Sequence, residues 1–426
     1  MTSPALNSRR TSLVVVDGVR TPFLKMGSDF AGIDATEQGR IVVQTLLTRT
    51  GLDPTLVDEV LFGCVAQPAD AANIARVIAL RAGIPESVPA MTVHRNCGSG
   101  LEALTTAAER ISAGKGEVFI VGGTESMSRI PLYFSVAAAT RFAALTRAKT
   151  AGGRVAAALH FRPSDFAPVI GLRLGLTDPF SGLNMGETAE VLARDFQLSR
   201  EEQDQFALSS HLRAAAARDA FSREICPVYL PNHRPGFVDQ DNGIREGQTL
   251  EALAKLKPVF EPRTGTVTPG NSSQITDGAV ALLVMTESRA ESLGLEPLGR
   301  LVDYAYTGCD PRRMGLGPAY AIRELFESTG LRPDDADVVE INEAFAAQVL
   351  AVLRLLKSSP FNGLTIPEER LNRLGGAIAL GHPVGATGAR LVLTALQQLK
   401  ADGGKRALVS LCIGGGQGGA AWLETL

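Results

Sequence analysis

Apolar runs of strand length alternate with amphipathic helical patterns along most of the chain. Leu13 to Val16 predicts a strand, and Ala35 to Thr50 repeats its apolar positions at helical spacing. Glu59 to Gly63 predicts a strand, Gly100 to Ala113 a helix, and Val118 to Gly123 a buried strand that ends in glycines. The rhythm returns later. Strands are expected over Gly299 to Tyr306, Asp337 to Ile341 and Arg406 to Leu411, with helices over Pro318 to Gly330 and Gly385 to Lys400. Such alternation implies βαβ units, hence a parallel or mixed sheet with helices on its faces.

Two stretches resemble each other, CGSGLEALTTAAERISAGKGEVFIVGG and GHPVGATGARLVLTALQQLKADGGKRALVSLCIGG. Each runs from a glycine-rich turn through an Ala/Leu-rich helix and a basic loop to a strand ending in GG. An internal duplication accounts for the likeness better than chance similarity of two ordinary βα units. Residues 129–267 interrupt the rhythm, with an Ala/Arg segment (137–159), a Pro/Gly-rich patch (162–182) and one helix over Glu187 to Asp219. The expected organisation is a first half over 1–128, an insertion over 129–267, a return segment over 268–295 that completes the first half, and a second half over 296–426. Long insertions on α/β scaffolds tend to build binding surfaces.

Composition narrows the function classes. The 426 residues are 45% hydrophobic and 20% charged, as in a globular protein with more than one structural unit. The net charge is -3 and no dense Lys/Arg block is present, which argues against nucleic-acid binding. Cys64, Cys97, Cys226, Cys309 and Cys412 lie far apart, as reduced thiols do in a reducing compartment. The first apolar run stops at Asp17, too short for a signal peptide or transmembrane segment, so a cytoplasmic location is expected. The short basic Ser/Thr leader leaves organelle targeting as the alternative. No HExxH, paired cysteines or carboxylate cluster points to a metal.

Four motifs carry candidate chemistry. In HRNCGSG, Cys97 precedes a predicted helix, whose positive end would lower the thiol pKa; Gly98 and Gly100 would allow a sharp turn and leave room for a substrate. A buried structural cysteine is the competing reading. In GGAIALGHPVGATG, His382 sits on a glycine-flanked loop and suits a general base, against a capping or core histidine. In CIGGGQGGA, Cys412 falls at the mouth of the site beside backbone N–H groups able to hold an oxyanion. Only AWLETL follows, too little for a dinucleotide fold. In INEAF, Asn342 ends a strand and could position a water or a carbonyl, or simply form a turn. His94, His160, His211, His233, Cys64, Cys226 and Cys309 lack glycine-loop context and are read as structural or surface residues, though His94 lies near Cys97.

Taken in order, these motifs resemble the thiolase family, and the likeness extends through DGVRTPF, VGGTESMS, MGETAE, KLKPVF, GTVTPGNSSQITDGA and MGLGPAYA over nearly the whole chain. The resemblance implies an α/β fold of two duplicated five-stranded βαβαβαββ halves in five α-β-α-β-α layers, with an inserted loop domain offering a coenzyme A surface. It implies that Cys97 carries the acyl group as a thioester, that His382 takes the Cys97 proton, and that Cys412 exchanges a proton with the substrate α-carbon. Asn342, through a water, and His382 would stabilise the enolate. The backbone N–H groups of Cys97 and Gly414 would hold the tetrahedral oxyanion. Coenzyme A would be a substrate and not a tightly bound cofactor, contacted by Arg245, Phe260, Gly270, Ser273, Ala344 and Phe345. The family also implies a homodimer or homotetramer.

Leu374 stands where the family often has Asn, and Thr387 where Ser is common. GHPVGATG and the long insertion resemble the thiolases that partner a hydratase–dehydrogenase in fatty-acid β-oxidation, whereas CGSG resembles the short-chain acetoacetyl-type, biosynthetic members. A ketoacyl synthase would place two histidines opposite its cysteine, and a lipid carrier would alter a reactive motif. Cys412 and four intact motifs favour a thiolase over both.

Overall fold

The computed structural model describes residues 13–230, 236–361 and 363–426, so the N-terminal leader and His233 lie outside it. In chain order its main strands are β1 (Leu13–Arg20), β2 (Glu59–Gly63), β3 (Ala90–Val93), β4 (Val118–Glu125), β5 (Thr276–Thr286), β6 (Gly299–Gly308), β7 (Val338–Ile341), β8 (Arg406–Ile413) and β9 (Gln417–Glu424). They join in the order β3-β2-β4-β5-β1-β6-β9-β8-β7.

This order repeats itself. In the first half β1 pairs antiparallel with β5 and β5 with β4, after which β2 and β3 continue in parallel. In the second half β6 pairs antiparallel with β9 and β9 with β8, after which β7 continues in parallel. The halves meet where Val14 faces Arg300 and Val15 faces Gly299. Five strands are expected in each half, but the fifth position of the second holds a single parallel bridge between Val339 and Leu371. Pro367 opens a short 3₁₀ turn just before Leu371, and Asn372 just after it adopts a left-handed φ of 44°. Extended pairing has no room between them.

The longer helices are α1 (Ala35–Thr50), α2 (Ile74–Arg81), α3 (Ser99–Ser112), α4 (Val136–Arg147), α5 (Ala151–Ala158), α6 (Met185–Asp195), α7 (Arg200–Ala216), α8 (Gly317–Thr329), α9 (Ala346–Lys357) and α10 (Thr387–Asp402). The three largest parts of the core form slabs. One holds α1 and α2 against the first half's sheet, and another holds α8 and α9 against the second half's. Between them, α3 and α10 share a core with the inner faces of both sheets, which gives the expected five layers. The single helix expected over Glu187 to Asp219 is α6, α7 and the start of a four-residue helix over Arg218–Phe221. It breaks where Gln197 takes a φ of 51°, and Ser199 and Glu202 then form a capping box that starts α7.

The two central helices touch at their N-terminal turns. A β-carbon on Gly100 would lie 2.8 Å from the Ala389 nitrogen, and one on Gly388 would lie 2.4 Å from the Leu101 nitrogen. A β-carbon on Gly98 would lie 2.7 Å from Ile413 Cδ1. Gly98 and Gly100 therefore answer to packing between the halves, not to room for a substrate. The two glycine loops of the duplicated halves are brought side by side.

Candidate active site

Cys97 sits in the sharp connection between β3 and α3. Asn96 before it adopts a left-handed φ of 43°, which Asn tolerates better than most residues, and the Gly98 N–H returns to the Arg95 carbonyl at 2.9 Å. Asn96 Nδ2 donates to the Gly414 carbonyl at 2.8 Å, tying this turn to the loop after β8. The thiol is half-buried. Burial pushes its pKa above the ordinary cysteine value, and hydrogen bonds from the Gly414 and Cys97 backbone N–H groups counter that only in part. The lowered pKa expected from the helix N-terminus is thus overturned, because desolvation of the thiolate outweighs the donors aimed at it.

His382 is buried on the loop leading into α10. Its backbone N–H donates to the Gln274 carbonyl at 3.0 Å. Thr387 Oγ1 lies 2.6 Å from Nδ1 and donates its own proton to the Pro383 carbonyl at 3.0 Å. With that hydroxyl proton committed, Nδ1 is the donor to Thr387, and Nε2 carries the lone pair. Nε2 is buried and has no protein partner among the described residues. Burial, and then the nearby Arg390 cation, bring the imidazole pKa down to about 4, so the ring is neutral near pH 7. Arg390 is itself buried and paired with Glu340 at 2.8 Å.

Cys412 lies near the end of β8 and is fully buried, not at the mouth of a cleft. Burial first, then the neighbouring Cys97 sulfur, holds its thiol well above the ordinary range. Met314 and Ala344 pack with it, and Met185 and Phe345 line the same apolar cluster. Met185 also borders Gly414, where a β-carbon would lie 3.5 Å from its sulfur. The two methionines come from elements remote in sequence and open the MGETAE and MGLGPAYA segments, to which no chemical role was attached.

Asn342 follows β7, and its N–H donates to the Ser410 carbonyl at 2.9 Å. Its side chain is fully buried, with neither Nδ2 nor Oδ1 hydrogen-bonded among the described residues. An amide so placed is free to bind a polar ligand atom. Glu343 beside it accepts hydrogen bonds from Ser210 Oγ at 2.6 Å, Asn372 Nδ2 at 2.8 Å and the Ile378 N–H at 3.2 Å. That network fixes the INEAF turn to the segment preceding His382, and composition and periodicity gave no sign of it.

A return loop connects these parts. The Asn271 carbonyl accepts from Ala346 at 2.9 Å, the Ser273 N–H donates to the Ala344 carbonyl at 2.9 Å, and Gln274 holds His382. Phe260 stands at its edge, its ring 6.3 Å from Phe345 and packed over Gly186. Gly270 lies in the same loop, but a β-carbon there would meet Leu256 and Leu253 at 2.5 and 2.6 Å, so packing explains the glycine. Arg245 is exposed, and its N–H donates to His211 Nδ1 at 3.3 Å. Lys25 is close enough for Arg245 to depress its pKa after burial has done so, which makes a small basic group. His94 and His160 are exposed, Cys64 and Cys226 are buried, and Cys309 borders the glycine turn through its N–H to Gly416 at 2.7 Å. Among the described residues no group of three or more His, Cys, Asp or Glu is placed to hold a metal, and no helix is long and apolar enough to cross a membrane.

The pattern has close counterparts. The model of the thiolase N-terminal domain matches residues 13–288, and that of the thiolase C-terminal domain matches residues 295–425. A probable acetyl-CoA acyltransferase of Staphylococcus epidermidis is 41% identical, with 95% of this chain and 97% of the relative covered. A 3-ketoacyl-CoA thiolase of Pectobacterium carotovorum is 39% identical, with 99% and 98% covered. The Bacillus anthracis acetyl-CoA acetyltransferase structure superposes with a TM-score of 0.88 at 37% identity, covering 98% of this chain and 100% of its own. Human mitochondrial 3-ketoacyl-CoA thiolase in complex with CoA gives 0.85 at 36% identity, covering 97% and 98%. With two duplicated halves, a cysteine at the start of each half's glycine loop or strand end, and both domain models matched in order, the chain belongs to the thiolase family.

Proposed function

We propose that this thiolase moves an acyl group from a 3-ketoacyl-CoA to coenzyme A through Cys97, as an acetyl-CoA acyltransferase. The observation that carries the reading is the convergence of the Cys97 sulfur with the Gly414 and Cys97 backbone N–H groups and with Cys412.

The resting pair is a neutral thiol and a neutral imidazole. Cys97 gives its proton to His382 Nε2 as Sγ adds to the 3-keto carbon. The oxygen becomes an oxyanion held by the Cys97 and Gly414 N–H groups, a type of contact worth about 10²–10³ in rate per donor. The bond between C2 and C3 then breaks, and its electrons pass into the enolate of acetyl-CoA. Asn342 and His382 steady that oxygen, and Cys412 supplies a proton to C2. Its raised pKa suits this task, because the group must arrive protonated. Coenzyme A next attacks the acyl-Cys97 thioester. Its thiol proton returns to Cys412, and the departing Cys97 sulfur recovers its own from His382. Only the two half-reactions together return Cys97, His382 and Cys412 to their starting protonation states.

Coenzyme A is bound as a substrate, with Phe260, Ser273, Ala344 and Phe345 along the pantetheine and Arg245 at the phosphates; Gly270 shapes the loop. The cation on Arg245 favours phosphate, and its neighbour Lys25 adds to it. The physiological direction is cleavage in fatty-acid β-oxidation, supported by the resemblance to 3-ketoacyl-CoA thiolases. The same resemblance supports a homo-oligomer and a hydratase–dehydrogenase partner. The test is CoA-dependent cleavage of 3-ketoacyl-CoA chains from four to sixteen carbons. Activity extending well beyond four carbons is expected, and activity confined to four would favour the biosynthetic acetoacetyl-CoA reading. Cys412→Ala cleaving at the wild-type rate would remove the acid–base role assigned to it.

A further inference from the structure

We infer that Glu125 and three glycines of the first half form a socket for Gly385, and that this socket sets His382 against Cys97. The inference rests on the acyl-transfer reading of those two residues. Glu125 ends β4 and is fully buried. Its carboxylate accepts the N–H groups of Val65 at 3.1 Å, Ala66 at 2.9 Å and Gly385 at 2.9 Å, with the Cys64 sulfur at 3.8 Å. Gly385 belongs to the other half, three residues beyond His382. Its carbonyl enters a cradle in which a β-carbon on Gly123, Gly63 or Gly100 would lie 2.0, 2.9 or 3.0 Å away. Both polar groups of one peptide residue are therefore gripped by the opposite half.

The grip reaches His382 through a stiff turn. Pro383 fixes one dihedral, and its carbonyl accepts the Ala386 N–H at 2.9 Å, the Thr387 N–H at 3.0 Å and the Thr387 hydroxyl at 3.0 Å. Thr387 in turn orients the His382 ring. Glu125 touches no reacting atom, so its part is that of a positioning residue.

Glutamine at 125 would keep only one acceptor oxygen for four donors, turning an N–H₂ toward the others. Electrostatics alone would then predict the opposite effect. After burial, the Glu125 charge is one of the influences that raise the Cys97 pKa, so removing it should by itself make the thiol more reactive. Gly123→Ala keeps the charge and displaces Gly385.

The experiment compares wild type, Glu125→Gln, Gly123→Ala and His382→Ala. Iodoacetamide alkylation of Cys97 near pH 7 is followed by peptide mass mapping, beside thermal unfolding of each protein. All three variants are expected to slow Cys97 alkylation by about 10- to 100-fold, the scale of a misplaced catalytic group. Folded Glu125→Gln that alkylates as fast as wild type, or faster, overturns the socket; so does folded Gly123→Ala at the wild-type rate. An unaffected His382→Ala instead overturns the reading of Cys97 and His382 as a pair. If both socket variants fail to fold, hydrogen exchange of residues 382–388 in the wild-type protein decides. Protection like that of α10 supports the socket, and rapid exchange of the Gly385 amide overturns it.

Discussion

Thr387 Oγ1 accepts from His382 Nδ1 and donates to the Pro383 carbonyl, which commits both ends of one hydroxyl. Thr387→Val keeps the shape and removes both bonds. A buried donor left without a partner costs about 1–3 kcal/mol, and here it also frees the imidazole to choose the wrong tautomer. We expect kcat to fall about 10- to 100-fold with KM little changed, and Thr387→Ser to stay near wild type. Steady-state kinetics check this, and Thr387→Val at the wild-type kcat would contradict the tautomer assignment. At this scale Cys97, His382, Cys412 and Asn342 stood out in the sequence because each borders glycines or ends an apolar run. Met185, Met314, Glu343 and Glu125 lie in segments that resemble the family, but their roles were not legible because their partners lie on elements far away in the chain. Burial also reversed the expected direction of the Cys97 pKa, which no local pattern reports.

The turn from β3 to α3 joins two elements through one strained residue. Asn96 at a φ of 43° spends its side chain on the Gly414 carbonyl and so couples this turn to the glycine loop after β8. Asn96→Ala should destabilise the fold by about 2 kcal/mol, combining a left-handed backbone penalty with one lost hydrogen bond. Asn96→Gly should recover the backbone part. Urea unfolding measures both, and an Ala variant as stable as wild type would contradict the assigned strain. Most elements were legible to within two or three residues, since period and length agreed, as for Ala35–Thr50. The helix break at Gln197 went unread although Ser199 and Glu202 carry the capping signal, because apolar spacing continues across it. The missing fifth strand of the second half needed the conformations around Leu371.

At the scale of the whole molecule, two buried histidines couple stability to pH. His382 and His211 are both lowered to about 4, chiefly by burial. The unfolded chain, with ordinary histidines near 6.5, therefore binds more protons than the folded one between about pH 4 and 6.5. Their contribution is present in full above pH 6.5 and is lost as pH falls through that window, by about 3 kcal/mol for each histidine. His211→Asn should flatten the acid limb of the stability curve by about one proton. An unchanged slope would contradict the buried neutral state. The duplication was readable from two similar segments, and the layered order was implied by the resemblance to the thiolase family. The seam between them was not, since it depends on Gly98, Gly100 and Gly388 meeting partners in the opposite half.

The proposed mechanism requires a covalent acyl group at Cys97. Mixing the enzyme with acetyl-CoA alone, quenching in acid and mapping peptides by mass tests it most directly. An acetyl group on Cys97 is predicted, released on adding coenzyme A and slowed in His382→Ala. An unmodified Cys97 in active enzyme, or acetyl on Cys412 instead, would contradict it.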